Sequence, residues 1–294
     1  MKPPLILLRG SWNLYDLAGM PHRHPALLVK SIEAVFDDGG CVTALSEMDG
    51  LQMIEAGAQA LAGLAVMRAP LSASNTGNQQ TPAGGMLIAV NRVRCGPDLQ
   101  RNGGTFIWCR ELMRLGNMSS HEVAIGNMTR RYTYLSGEYS VVSLDAATGD
   151  SQPSDAALAL EAAASVPRDW STFPAMRPFQ DVALALGERS LDGNSAQANL
   201  CFSVDLPVFA GHFPGRPLVP GVYLLAAILL SAAPGARLLA VERAKWRRPA
   251  LPGQLLTVHA TWCSDDGRLN ITGYVDGPDG RCCECHLEAD MSQS

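Results

Sequence analysis

The sequence predicts an α+β fold of two tandem units, each an antiparallel β-sheet wrapped around a central apolar helix. Three observations predict it. Two helices of similar grammar occupy the two halves of the chain, strand-like segments flank both in the same order, and a short sequence recurs on the strand after each helix. A helix that is apolar on nearly every side must be buried on nearly every side. In a chain of 294 residues a curved sheet can do that.

The first unit is expected over residues 1–147. Ala26–Phe36 and Cys41–Leu45 read as strands from their β-branched content. The helix follows over Gly50–Met67, opening on a glycine after Asp49. Met86–Cys95, Gly104–Leu112, Glu122–Met128 and Tyr132–Leu144 read as further strands, punctuated by Gly, Asn and Asp. Pro70–Thr81, polar and small, reads as a lid or a disordered loop. Residues 148–170 read as a linker holding a short Ala-rich helix, Ala156–Ser165, before Pro167.

The second unit, residues 171–294, repeats the order. Strands are expected at Asp181–Leu186 and Ala198–Val204, a helix at Gly221–Ala233, and strands at Arg237–Trp246, Gln254–Trp262, Leu269–Val275 and Arg281–Asp290. Ile88-Ala89-Val90-Asn91-Arg92 and Leu239-Ala240-Val241-Glu242-Arg243 fall at equivalent places, as a tandem duplication requires.

Composition narrows the function classes. At 47% hydrophobic and 17% charged the chain is too apolar for intrinsic disorder. A formal net charge of -5 disfavours sequence-independent nucleic-acid binding. No window approaches the ~20 apolar residues of a membrane span. Leu5–Leu8 is shorter than the ~7–15 residues of a signal core, so a cytoplasmic location is expected. The eight cysteines then read as reduced thiols. Cys282, Cys283, Cys285 and His286 form one metal-type cluster, but on a strand Cys283 and Cys285 face one way while Cys282 and His286 face the other, so no metal is expected.

One motif points to chemistry. Phe209-Ala210-Gly211-His212-Phe213-Pro214-Gly215-Arg216-Pro217-Leu218-Val219-Pro220-Gly221-Val222 holds one histidine in a loop stiffened by prolines, at the start of a buried helix. Such a helix start offers free N–H groups and a positive dipole end. The stretch resembles the signature of the hotdog-fold 3-hydroxyacyl-[acyl-carrier-protein] dehydratases, F-x-G-H-F-P-x-x-P-x-x-P-G-V, at every fixed position. Met20-Pro21-His22-Arg23-His24-Pro25-Ala26-Leu27-Leu28-Val29 is similar to that family's opening segment, and Val241–Gln254 to its basic strand and Pro-Gly turn. The fold this resemblance implies is a double hotdog.

The resemblance also implies a catalytic acid five places after the glycine of P-G-V. In the second unit that place holds Ala226; in the first, counting from Gly50, it holds Glu55, within Ile54-Glu55-Ala56-Gly57-Ala58-Gln59-Ala60. The first unit in turn lacks the histidine loop. The defects are complementary, so a single composite site is expected, with His212 and Glu55 as catalytic residues and a dead mirror-image position near Asp49 and Ala226. Phe213, Pro220, Gly221, Val222 and Gln59 are the substrate-binding positions so implied. Glu55 is expected to be buried beside the histidine with a raised pKa.

The expected reaction is dehydration of a 3-hydroxyacyl thioester to a trans-2-enoyl thioester. His212 takes the α-proton, Glu55 protonates the departing hydroxyl, and N–H groups near Gly221 and Val222 hold the carbonyl. No metal or organic cofactor is expected; the substrate rides on the phosphopantetheine of an acyl carrier protein. Arg243, Lys245, Arg247 and Arg248 read either as a docking rim for that acidic carrier or as a solvated edge strand. Other synthase components are further expected partners, and the fused pair is either a monomeric pseudo-dimer or a unit that associates further. The composite pattern most resembles the paired dehydratases of aryl-polyene and xanthomonadin-type pigment pathways. A hotdog thioesterase and a carrier-binding pseudoenzyme are the alternatives.

Overall fold

The structure, a computed structural model, describes residues 6–14, 16–17, 20–45, 48–76, 85–96, 104–127, 133–143 and 176–291. The linker expected at 148–170, and with it the boundary between the units, lies outside the described residues.

In chain order the elements are β1 (Ile6–Asn13), β2 (Val29–Phe36), β3 (Gly39–Ala44), α1 (Gly50–Thr76), β4 (Gly85–Cys95), β5 (Thr105–Leu115), β6 (Met118–Asn127) and β7 (Thr133–Ser143). Then come α2 (Pro178–Ala185), β8 (Leu186–Asp192), β9 (Ser195–Leu200), α3 (Val208–Gly211), α4 (Gly221–Ala232), β10 (Arg237–Trp246), β11 (Leu256–Asp265), β12 (Arg268–Gly277) and β13 (Gly280–Asp290).

All described strands join one antiparallel sheet, ordered β1-β2-β3-β5-β6-β7-β4-β10-β13-β12-β11-β9-β8. Outward from the β4–β10 seam the order is β4-β7-β6-β5-β3-β2 on one side and β10-β13-β12-β11-β9-β8 on the other. Each strand of the first series has its chain-order counterpart in the second, and β1 is an addition at one edge. The recurring pentapeptides meet at the seam, where Arg243 pairs with Asn91.

Each half wraps one helix. Every residue of α4 except Gly221 and Leu230 is buried. On α1, Leu51, Ile54, Ala56, Ala60 and Leu64 are buried. Burial on all sides is what suppresses an amphipathic pattern in both helices. The α1 terminus carries a reciprocal cap: Gln52 N–H donates to Asp49 Oδ1 (2.8 Å) and Asp49 N–H to Gln52 Oε1 (2.8 Å).

Four expectations need correction. Asp181–Leu186 is not a strand: α2 runs through it and β8 begins at Leu186. Pro178 in the first turn has its φ preset for a helix, and Val182 buries. Second, α1 continues past Met67 to Thr76, so the first part of Pro70–Thr81 has helical backbone, and 77–81 lies outside the described residues. Third, Ala198–Val204 is strand only as far as Leu200. Fourth, β1 has no counterpart among the expected strands, because its mostly exposed residues show no alternation.

Candidate active site

Two elements from opposite halves build the site. On α1, Glu55 sits between the fully buried Ile54 and Ala56 and is itself only 5% exposed. In the other half the short α3 ends at His212, whose N–H donates to Val208 O (2.9 Å). The loop then closes on itself. Leu218 N–H donates to His212 O (2.9 Å), and His212 Nδ1 lies 3.0 Å from Leu218 O. A carbonyl accepts only, so Nδ1 carries the ring proton and Nε2 presents its lone pair. That Nε2 lies 3.8 Å from Glu55 Oε1.

The approach across the halves depends on a glycine. A Cβ on Gly211 would lie 2.0 Å from Arg23 O and 2.8 Å from Ala26 N. With none, Arg23 N–H reaches Gly211 O at 2.9 Å, and the N-terminal segment docks on the histidine loop. This brings in a third ionisable group that the motif analysis did not place in the site. His22 Nε2 is 3.3 Å from the same Glu55 Oε1. Phe213 stacks on His212 (centroids 4.2 Å) and meets His22 edge-on (4.8 Å). The segment around His22 was visible in the sequence, but nothing in its spacing says that it returns to α1.

Gln59 is placed differently from the expectation. Its amide lies fully buried, donating to Glu55 Oε1 (3.1 Å) and Ala26 O (2.8 Å) and accepting from Leu28 N–H (2.8 Å). With donor and acceptor engaged it orients Glu55 and ties the start of β2 to α1, rather than meeting a ligand.

The electrostatics also correct the expectation for Glu55. Burial pushes the carboxyl up, but the hydrogen bond from His22, the charges of His212 and His22 and the Gln59 amide more than offset it, holding it at about 2. Burial lowers His212 to about 4, against the pull of Glu55. At neutral pH the site therefore holds a carboxylate and a neutral imidazole. The expected protonated carboxyl fails because Glu55 has partners; desolvation raises a carboxyl decisively only where it has none.

A cavity of about 610 Å³ connects these groups. His22, Glu55, His212, Phe213, Gly221 and Val222 line it. Pro220 is the N-cap of α4 and is not among the lining residues. Gly221 and Val222 open α4, so their N–H groups have no acceptor within the helix. Trp246 Nε1–H donates to Gly221 O (3.0 Å), and a Cβ on Gly221 would sit 2.5 Å from that Nε1. Only glycine admits the indole here.

A cavity of about 110 Å³ lies beside Asp49, Gly50 and Cys95, and no side chain of α4, Ala226 included, lines it. His22, Glu55 and His212 form the one group among the described residues that offers three potential metal-ligand atoms within 4.8 Å of one another. The Cys282–His286 cluster does not gather: Cys283 and Cys285 are buried and His286 is exposed, and Cys282, expected on the face of His286, is buried as well.

The basic run is not at a sheet edge, since β10 lies between β4 and β13. Arg243 and Arg247 both reach Glu284 Oε1, at 3.4 and 2.8 Å. Arg247 and Arg248 line the cavity beside Trp246, whereas Arg243 and Lys245 do not.

Comparison with known proteins adds to this geometry. Residues 188–279 match the ApeI-like family, described as ApeI dehydratase. Over 81 residues the chain is 41% identical to the 3-hydroxyacyl-[acyl-carrier-protein] dehydratase FabZ of Rickettsia felis, covering 24% of this chain and 54% of that one. Over 92 residues it is 38% identical to the FabZ of Rickettsia bellii, covering 26% and 62%. The chain thus spans little more than half the length of these relatives. An oleoyl thioesterase structure from Lactobacillus plantarum superposes with a TM-score of 0.51 at 12% identity, covering 83% of this chain and 88% of that one. That likeness shows the fold alone: an antiparallel sheet with few helices, fitting a hotdog fold. No helix among the described residues is long and apolar enough to cross a membrane.

Proposed function

We propose, from the premise that residues 188–279 fall in the hotdog-fold dehydratase family, that this chain dehydrates 3-hydroxyacyl thioesters carried on an acyl carrier protein. In this reading two tandem hotdog units share a single composite site. The observation that carries it is the meeting of His212 Nε2 and Glu55 Oε1, 3.8 Å apart, in one cavity between the units.

The thioester carbonyl accepts from the N–H groups of Gly221 and Val222, which hold the charge that develops as the α-proton leaves. Neutral His212 takes that proton on Nε2. Glu55, ionised at rest, cannot itself begin as the acid. The new imidazolium lies beside its carboxylate and passes the proton on, and Glu55 then delivers it to the departing 3-hydroxyl. The proton taken from Cα leaves in the water formed, the enzyme returns to its starting state, and a trans-2-enoyl thioester remains. No metal or organic cofactor enters these steps.

Arg247 and Arg248, at the cavity beside Trp246, suit the acidic surface and phosphate of a loaded carrier. By analogy with the dehydratase relatives, the pathway is of polyene, polyketide or fatty-acid-like type.

The test is product analysis with His212→Ala and Glu55→Gln made separately. An enoyl thioester from the parent protein, with each variant lower by about 10²–10⁴ in turnover, is the expected result. Free acid as product would assign a thioesterase. Carrier binding without turnover, indifferent to His212→Ala, would assign a non-catalytic role.

A further inference from the structure

The same cavity runs along α1 away from Glu55, past Leu61 and Ala65 to Arg68. Thirteen helical steps separate Glu55 from Arg68, or about 20 Å along the axis. An acyl tunnel that held only hydrocarbon would end on apolar side chains. This one carries Ser119, His121, Glu111, Arg114 and Arg68 there, beside the apolar Leu87 and Val141.

The internal repeat shows that the fold does not require polarity there. The β5–β6 hairpin turns between Leu115 and Met118, and its counterpart β11–β12 between Asp265 and Arg268. Counted from these turns, Ser119 corresponds to Leu269 and His121 to Ile271. Glu111, which pairs with His121, corresponds to Trp262, which pairs with Ile271. The row that is Leu, Ile and Trp in the second half is therefore Ser, His and Glu in the first, where it lines the cavity.

The polar row is organised. Ser119 Oγ lies 2.8 Å from His121 Nε2, and both residues are buried at 7% exposure. Glu111 is held by Arg114 at 2.6 Å and Arg68 at 3.6 Å, so both guanidinium groups are engaged with a carboxylate of the protein itself. Burial lowers His121 to about 4, leaving a neutral ring. A neutral imidazole and a serine hydroxyl each both donate and accept, which matches an uncharged hydroxyl better than a carboxylate.

We propose that the far end of the cavity recognises a hydroxyl group at the distal end of the acyl chain, through His121 and Ser119. The proposal rests on the dehydratase reading, whose substrate it narrows to chains that end in oxygen rather than in methyl. A methyl end would leave buried polar groups facing hydrocarbon.

The test compares 3-hydroxyacyl-pantetheine thioesters of matched length, ending in CH3 or CH2OH, over a series of chain lengths. At the length that reaches His121, the hydroxyl-ended chain should be favoured by about tenfold or more in kcat/KM. His121→Ile with Ser119→Leu, the residues of the other half, should bring that ratio towards one. His121→Gln, which still donates and accepts, should keep most of it. Equal kcat/KM for both ends at every length in the parent protein would overturn the proposal, as would preference for a carboxylate-ended chain over the hydroxyl-ended one. If neither chain is dehydrated at any length, the dehydratase reading itself falls.

Discussion

Glu55 Oε1 accepts from His22 at 3.3 Å within its own half of the chain and faces His212 at 3.8 Å from the other half. One carboxylate oxygen thus sits between two imidazoles, and Gln59 holds it from below at 3.1 Å. The arrangement explains why Glu55 remains ionised while buried.

His22 is a positioning residue in this arrangement. His22→Phe removes the hydrogen bond to Glu55 and should raise the Glu55 pKa. Turnover should fall about tenfold or more, while KM for the thioester changes little. The pH profile discriminates: the variant should shift it relative to the parent, whereas a purely structural role would scale it uniformly.

Stability should decline on acidification in two windows. The His212 pKa is lowered from 6.5 to about 4, so the unfolded chain binds this proton more readily, and stability is lost as pH falls from 6.5 towards 4. His121, lowered from 6.5 to about 4, acts with the same sign. Glu55, lowered from 4.5 to about 2, stabilises above 4.5, and that contribution is lost as pH falls towards 2. Chemical denaturation at several pH values should show a shallower decline between 6.5 and 4 for His212→Asn.

Activity should follow the base. The acid limb of kcat/KM for a carrier-free thioester should lie below the ordinary histidine value of 6.5, towards about 4. A limb at 6.5 or above would show that His212 is not held neutral by burial.

Gly211→Ala should damage both folding and chemistry, because the new Cβ would be 2.0 Å from Arg23 O. Backbone cannot yield as a side-chain tip can, so the N-terminal segment must move off the histidine loop. The melting temperature should drop by several degrees and turnover by about tenfold or more.

Charge reversal at Arg247 and Arg248 tests carrier docking. The double Glu variant should raise KM for carrier-bound substrate about tenfold, with little change for a pantetheine thioester. The effect should weaken as salt rises. Equal changes on both substrates would place these arginines in the acyl site instead.

Much of this protein was legible in residue order. Helices apolar all round announced their burial, and strand segments after α4 fell within a few residues of their places because alternation there is regular. A short alternating run such as Asp181–Leu186 suits helix and strand alike, and only tertiary burial, here of Pro178 and Val182, decides between them. Glu55 and His212 were identifiable because the motif and the count from Gly50 are local properties. Their separation, the docking of His22, the ionised state of Glu55 and the polar end of the cavity were not. Each depends on which groups from distant segments share a water-poor space, where desolvation and hydrogen bonding compete. Linear order specifies the side chains, but only tertiary packing decides which of them face one another there.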